Sequence, residues 1–361
     1  MTSDRSARAP VTTADAGGAG GGPRLLVPDV LRGVALLAML IAHAVPFLPE
    51  RPAALAVVMA NINDLASPLF ALVMGVSAQL VLQRTVRSGI PFMLFQQIIR
   101  GMILIGLGMI LSEWGTWVAI VLSYLGVLLI VGAPLLFLSS RWLAVVAVGL
   151  AVVSDPLNAW ARTLLSGVVG ADPTGLLREA ASWFVLGQAY RLTNLLPFFL
   201  LGALLLRHGF VRDRVLWLML AVAPVAYAVR PVVESSGVLV VSGSWPDTLH
   251  DVGLVFAVYV AVVVLATVRR PAAQRAIGAA FVPLRAIGAV ALSLYVLHVG
   301  LLALWQGVWP NANDYLGWLL IVPGMVLVGW LWWRFVGPGP IEWAMGWMTG
   351  RRVGRPVHAA R

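Results

Sequence analysis

Cysteine is absent from the chain, which removes disulfides, thiolate nucleophiles and cysteine-held metals together. Lysine is absent as well. All 25 basic residues are arginine, so Schiff-base chemistry and a lysine general base are excluded. That bias reads first as the codon usage of a GC-rich gene and only second as chemistry. Charge of either sign is scarce: 11% of the 361 residues are charged, against about 25% in a soluble domain. Meanwhile 60% are hydrophobic and the mean hydropathy is +0.91. A soluble globular fold is excluded, and an all-α polytopic membrane protein is expected. In that setting the net charge of +10 reports cytoplasmic loops and contact with anionic headgroups of the lipid bilayer, not nucleic acid.

Residues 1–24 are rich in Gly, Ala, Thr, Ser and Pro, with a glycine run at 17–22. They read as a disordered tail. The first apolar run, about 29–48, reads as an uncleaved helix that also serves as the insertion signal. Nine further spans are expected near 64–83, 95–112, 117–138, 141–154, 192–207, 214–230, 250–268, 285–305 and 316–335. The arginines support this count of ten. Arg84, Arg87, Arg141, Arg207, Arg212, Arg214, Arg269, Arg270, Arg275, Arg334, Arg351, Arg352 and Arg355 all fall in even-numbered loops or after the last span. The odd loops carry Glu113, Glu234, Asp247 and Asp314 with few arginines, apart from the long fifth loop with Arg162, Arg178 and Arg191. The positive-inside rule then puts both termini in the cytoplasm of a multi-pass cell-membrane protein. Residues 25–348 form one transmembrane domain and 349–361 a basic cytoplasmic tail. The segment 155–191 is expected as the one long external loop, either a lid or an amphipathic surface segment.

The first span carries the most informative polar pattern. The eleven steps from Arg32 to His43 return to within about 20° of one helix face, roughly 16 Å higher. Asp29, Arg32, Leu36, Met39 and His43 therefore form one stripe, which is expected to face other helices or a cavity. Asp29 and Arg32 can pair on that face, as an interface ion pair or as part of a site. Arg32 with Arg100 can attract an anionic group from the cytoplasm, because the planar guanidinium fork suits phosphate. His43 is either a packing residue hydrogen-bonded between helices or a general base. His298 lies thirteen residues past Arg285, roughly 20 Å up one helix, so the two histidines are expected at one level. His298 too can be a packing residue. Two histidines without a third ligand are not a metal motif. Asn61, Asn63, Asp64 and Ser67-Pro68 are expected to open the second span, with Ser67 as cap and Pro68 in the first turn. Capping leaves Asp64 unexplained, and Asp64 could orient a histidine or bind an external substrate. Gly75 and Ser77 are small enough for close helix contact. Gln188 to Asn194 and His250-Asp251 read as external polar patches.

These residues carry a resemblance. Asp29-x-x-Arg32-Gly33-x-Ala35 continuing to Met39 and His43, then Asp64-Leu65-x-x-Pro68-x-Phe70 continuing to Gly75-x-Ser77, resembles the heparan-alpha-glucosaminide N-acetyltransferase-like membrane acyltransferase superfamily. The rest is similar to its uncharacterised bacterial branch, at Tyr124-Leu125-Gly126, Leu196-Pro197 to Gly202, Leu292-Ser293-Leu294-Tyr295-Val296-Leu297-His298 and Gly339-Pro340-Ile341-Glu342-Trp343. The resemblance covers nearly the whole chain after residue 25. It implies an acetyl or other acyl group taken from cytoplasmic acyl-CoA, most simply acetyl-CoA, and delivered to an amine or hydroxyl of an envelope sugar or glycolipid. It implies Asp29, Arg32 and Arg100 at the CoA entrance and His43, Asp64 and His298 at the chemistry, with no permanently bound cofactor. The animal-type enzyme has its catalytic histidine in the loop after the first span, whereas residues 44–63 here contain none.

A transporter reads from the same residues, with the polar stripe as a translocation path and His43 as a proton relay. Against it, the sequence has no inverted repeat and no paired broken helices. The acceptor, the acyl chain and the oligomeric state are not fixed by the sequence.

Overall fold

The computed structural model describes residues 26–48, 51–170, 175–308 and 315–350. It is 84% helical with no strand among the described residues, as lipid requires: a spanning segment satisfies its own backbone only as a helix or in a closed barrel. The expected tail 1–24 and most of 349–361 lie outside the described residues, as do Asp172 and Asp314.

The long helices are α1 (Leu26–Ala44), α2 (Ala53–Arg84), α3 (Ile90–Ser112), α4 (Leu122–Leu135) and α5 (Ser140–Gly170). After the short α6 (Leu176–Ala181) come α7 (Leu192–His208), α8 (Arg214–Ser235) and α9 (Trp245–Ala266). Then follow α10 (Pro271–Ala280), α11 (Val282–Ala289), α12 (Ala291–Val308), α13 (Tyr315–Leu319), α14 (Met325–Phe335) and α15 (Pro340–Met348). By length and composition, seven stretches among the described residues can cross a membrane. An eighth is the pair α11 and α12, which is bent by 80°. The other two expected spans fall on α4 and α7, which are apolar but shorter.

Three expected boundaries are corrected. The second span begins at Ala53, not near Asp64, so Ser67 caps nothing and Pro68 lies inside α2. The fifth span does not stop at 154. It runs 31 residues to Gly170 through Pro156, and most of the expected external loop is therefore helix. Arg285 and His298 do not share one straight helix, because the chain breaks at Val290. In the first two cases polar residues and a proline lie inside a helix, where neighbouring helices satisfy them.

α8 packs on α9, α2 on α7, α3 on α4, and α1 against both α2 and α11. The α2–α7 contact rests on the absence of side chains. A Cβ on Gly75 would lie 1.8 Å from the Phe199 carbonyl oxygen, and one on Gly202 would lie 2.0 Å from that of Leu72. The backbones therefore meet directly, the close approach expected of Gly75. Arginines fasten one end of the bundle. Arg207 of α7 donates to Gln79 of α2 and to the carbonyls of Leu136 and Leu138 beyond α4. Arg212 donates to Thr267 and to the Val264 carbonyl at the end of α9. Asp213 caps α8 by accepting from the amides of Val215 and Leu216 at 3.0 and 3.2 Å.

Candidate functional site

A cavity of about 760 Å³ opens at the arginine-rich end. Its mouth is lined by Asp29 and Arg32 of α1, Arg84 of α2, Gln96 and Arg100 of α3, and Glu342 of α15. On α2 it extends from Thr85 in to Phe70, fourteen residues above Arg84 or roughly 21 Å. Inward the walls become apolar, with Val73, Leu104, Leu122, Leu125 and Leu129 among them. It reaches Val121 and Tyr295. Three guanidinium groups over an apolar shaft are suited to a ligand with an anionic head.

Arg32 is held from two sides. Its Nη1 lies 3.5 Å from Asp29 Oδ1, and its Nη2 donates to Ser77 Oγ at 2.8 Å. The expected ion pair is present, and its acid aims the guanidinium across to α2. The stripe that continues up α1 does not line the cavity. Leu36 and Met39 are buried at 0% and 4% exposure, packed in the core between α1 and its neighbours.

Glu342 joins two stretches that the sequence showed only as separate motifs. Its Oε1 accepts from the amides of Leu292 at 2.7 Å and Ser293 at 3.1 Å, and its Oε2 accepts from the Ser293 hydroxyl. A carboxylate from α15 thus caps the N-terminus of α12, where the 80° break leaves amides without a preceding turn. The α12 helix so capped carries Tyr295 and His298.

His43 and His298 are in direct contact. His43 Nδ1 lies 2.9 Å from His298 Nε2, edge to edge, with the ring planes within 17° of parallel and the centroids 5.2 Å apart. His298 Nδ1 lies 3.3 Å from the Leu294 carbonyl. A carbonyl only accepts, so His298 carries its proton on Nδ1. In the neutral pair His298 Nε2 is then the acceptor, and His43 donates from Nδ1. The remaining lone pair sits on His43 Nε2, which no group among the described residues bonds. The Trp117 indole donates to the His43 carbonyl at 3.3 Å. The arrangement is that of a base oriented by a second group.

Asp64 is not part of this pair. Its Oδ2 accepts from Arg230 Nη1 at 2.9 Å, and the same nitrogen donates to Asp247 Oδ1 at 3.0 Å. Arg230 Nε donates to Glu234. The histidine beside Asp64 is His250, at 3.9 Å; His250 also bonds the Tyr227 carbonyl and Asn61 Oδ1. Of the two expected roles of Asp64, orienting His43 is therefore corrected, and the binding of an external group is left standing. The carboxylate is engaged by Arg230, 166 residues away in sequence. The patch expected at Gln188 to Asn194 is not surface-exposed at Arg191, which is 2% exposed. It donates to the carbonyls of Gly187, Gln188 and Ser242 and acts as a strut between loops.

No pattern in the sequence assigns Arg84, Gln96, Arg230 or Tyr295 to a site. Arg84 and Gln96 carried a signal, being polar residues at the same end as Arg32 and Arg100. No protein-family model matches the chain, and no curated protein matches it.

Proposed function

We propose that this multi-pass membrane protein is an acyltransferase of the cell membrane. It would move an acetyl or other acyl group from cytoplasmic acyl-CoA to an amine or hydroxyl of an envelope sugar or glycolipid. The observation that carries this reading is the cavity running from Arg32, Arg84 and Arg100 to the residue in front of the paired histidines. Its supports are the resemblance at both ends of that cavity and the arginine distribution, from which the positive-inside rule expects a cytoplasmic mouth.

In this reading Arg32 and Arg100 hold the phosphates of the donor, and Asp29 aims Arg32. His43 Nε2 takes the proton from the acceptor amine or hydroxyl. The new bond forms from that nitrogen or oxygen to the acyl carbon, and the carbon–sulfur bond breaks with thiolate leaving. His298 holds the His43 tautomer that leaves Nε2 free. Asp64 belongs to the Arg230 cluster, at the other end of α2 from the arginine-rich mouth, and bears on acceptor binding there.

A second reading, a transporter, is favoured by one observation. The broken pair α11 and α12 resembles the discontinuous helices of transporters. Purified protein in detergent decides between them. Wild type that binds acetyl-CoA and turns over the thioester, with His43→Ala binding but not turning over and Arg32→Ala binding more weakly, supports the acyltransferase. Folded wild type that binds no acyl-CoA, including longer chains, refutes it and moves the test to substrate flux in vesicles.

A further inference from the structure

The cavity and the histidine pair are adjacent yet separate, and one side chain stands between them. Tyr295 lines the cavity with Val121 and Leu122. On its other side its ring meets His298 edge-on, with centroids 5.2 Å apart and planes at 84°. His298 is 0% exposed and lines no part of the cavity. The Tyr295 hydroxyl is held by one contact among the described residues, the Val121 amide donating to it at 3.3 Å. That is a long bond, and its donor, just before α4, also lines the cavity.

We propose that Tyr295 is a positioning residue. Its ring partitions the cavity from His43 and His298, and its release from Val121 joins the two. The Tyr295 side chain is buried and the open space it borders is the cavity, so the cavity is where a rotamer change finds room. With the ring in place, a ligand entering past the arginines stops short of His43. With the ring displaced, the reacting end of the ligand can approach His298 and its partner. The partition does not depend on which ligand fills the cavity. A cavity that takes no acyl-CoA would refute the acyltransferase and leave Tyr295 in the same role for any other ligand.

Because the native chain has no cysteine, single cysteines report access directly. His298→Cys reports the far side of the ring and Ala291→Cys the cavity wall. The full-length protein would be treated from the arginine-rich side with sulfonatoethyl methanethiosulfonate, an anionic probe that the arginines attract. Closed-state burial with a minor open population of about 0.1–10% predicts slow labelling of His298→Cys. Adding Tyr295→Ala should then raise its rate on the order of tenfold or more. Adding Tyr295→Phe, which keeps the ring and removes the hydroxyl, should raise it roughly two- to tenfold. Ala291→Cys should label at one rate in all three backgrounds. Fast labelling of His298→Cys with Tyr295 intact would overturn the proposal, because nothing then separates the spaces. So would slow labelling with Tyr295→Ala while Ala291→Cys reacts normally, because the barrier is then another group. If Tyr295→Ala fails to fold, Tyr295→Phe decides alone, and a rate equal to that of wild type refutes the latch.

Discussion

Replacing Glu342 should loosen the helix that carries His298. Its carboxylate accepts the amides of Leu292 and Ser293 and the Ser293 hydroxyl. Hydrogen bonds to a charged group contribute about 1.5–3 kcal/mol each when isolated. A carboxylate at a helix N-terminus gains a further 0.3–1 kcal/mol or so from the dipole. The terms do not add in full, because the site is half-buried and water can replace part of the cap. Glu342→Ala, which removes every acceptor, should therefore cost about 2–4 kcal/mol. Glu342→Gln keeps one oxygen for the amides and loses the charge, and should cost about 1–1.5 kcal/mol. Unfolding of the detergent-solubilised full-length protein, by heat or denaturant, measures both. Ser293→Ala completes a double-mutant cycle whose coupling should lie within about 0.5–3 kcal/mol. The cap would be refuted by Glu342→Ala unfolding within about 0.5 kcal/mol of wild type, or by a cycle with no coupling.

Three further outcomes can be checked on the same preparation. Arg230→Met strands Asp64 and Asp247 in a partly exposed cluster, so it should destabilise by about 1–3 kcal/mol, less than for a fully buried pair; Asp64→Asn in the same chain should recover part of the loss. Gly75→Ala puts a methyl carbon 1.8 Å from the Phe199 carbonyl oxygen, forcing α2 and α7 apart at a cost of about 1–3 kcal/mol or more, and thermal unfolding should show it. At Asp213, desolvation that would raise the carboxyl is outweighed by the Leu216 amide, the His208 imidazole and the Val215 amide, which together hold it below the usual carboxylate range. Its folded pKa is depressed, so its stabilisation is present above the ordinary aspartate pKa and is lost as pH falls through the depressed value; Asp213→Ala should flatten that part of a stability–pH profile.

The membrane class and the helical architecture were legible because apolar runs and arginine placement act locally, within one segment at a time. The pairing of His43 with His298 was legible as a level, although the count assumed one helix from Arg285. The chain instead turns by 80° at Val290, and nothing in Gly288-Ala289-Val290-Ala291 announces it as a proline would. The Asp29–Arg32 pair lies three residues apart and could be read directly. Asp64 could not be assigned, because its partner Arg230 lies on another helix, and a single sequence carries no pairing information over that distance. Glu342 was visible only as a letter in a motif; its work depends on a helix break the sequence did not show. The length of α5 was missed because Asp155 and Asn158 read as a loop. In the fold Asp155 accepts the Trp245 amide and Asn158 bonds Asn194 and Thr193, which lets the helix pass through them.

The cap on α12 also sets an order of events during synthesis. Ser293 precedes Glu342 by 49 residues, and ribosomes add about 5–20 residues per second. A nascent chain therefore holds α12 with a bare N-terminus for roughly 2–10 s, until Glu342 at the start of α15 has been added. A message cut short between codons 336 and 342 yields a protein with the helices through α14 present and the N-terminus of the helix under His298 uncapped. Such truncated products should be less stable around the histidine pair even where they insert normally.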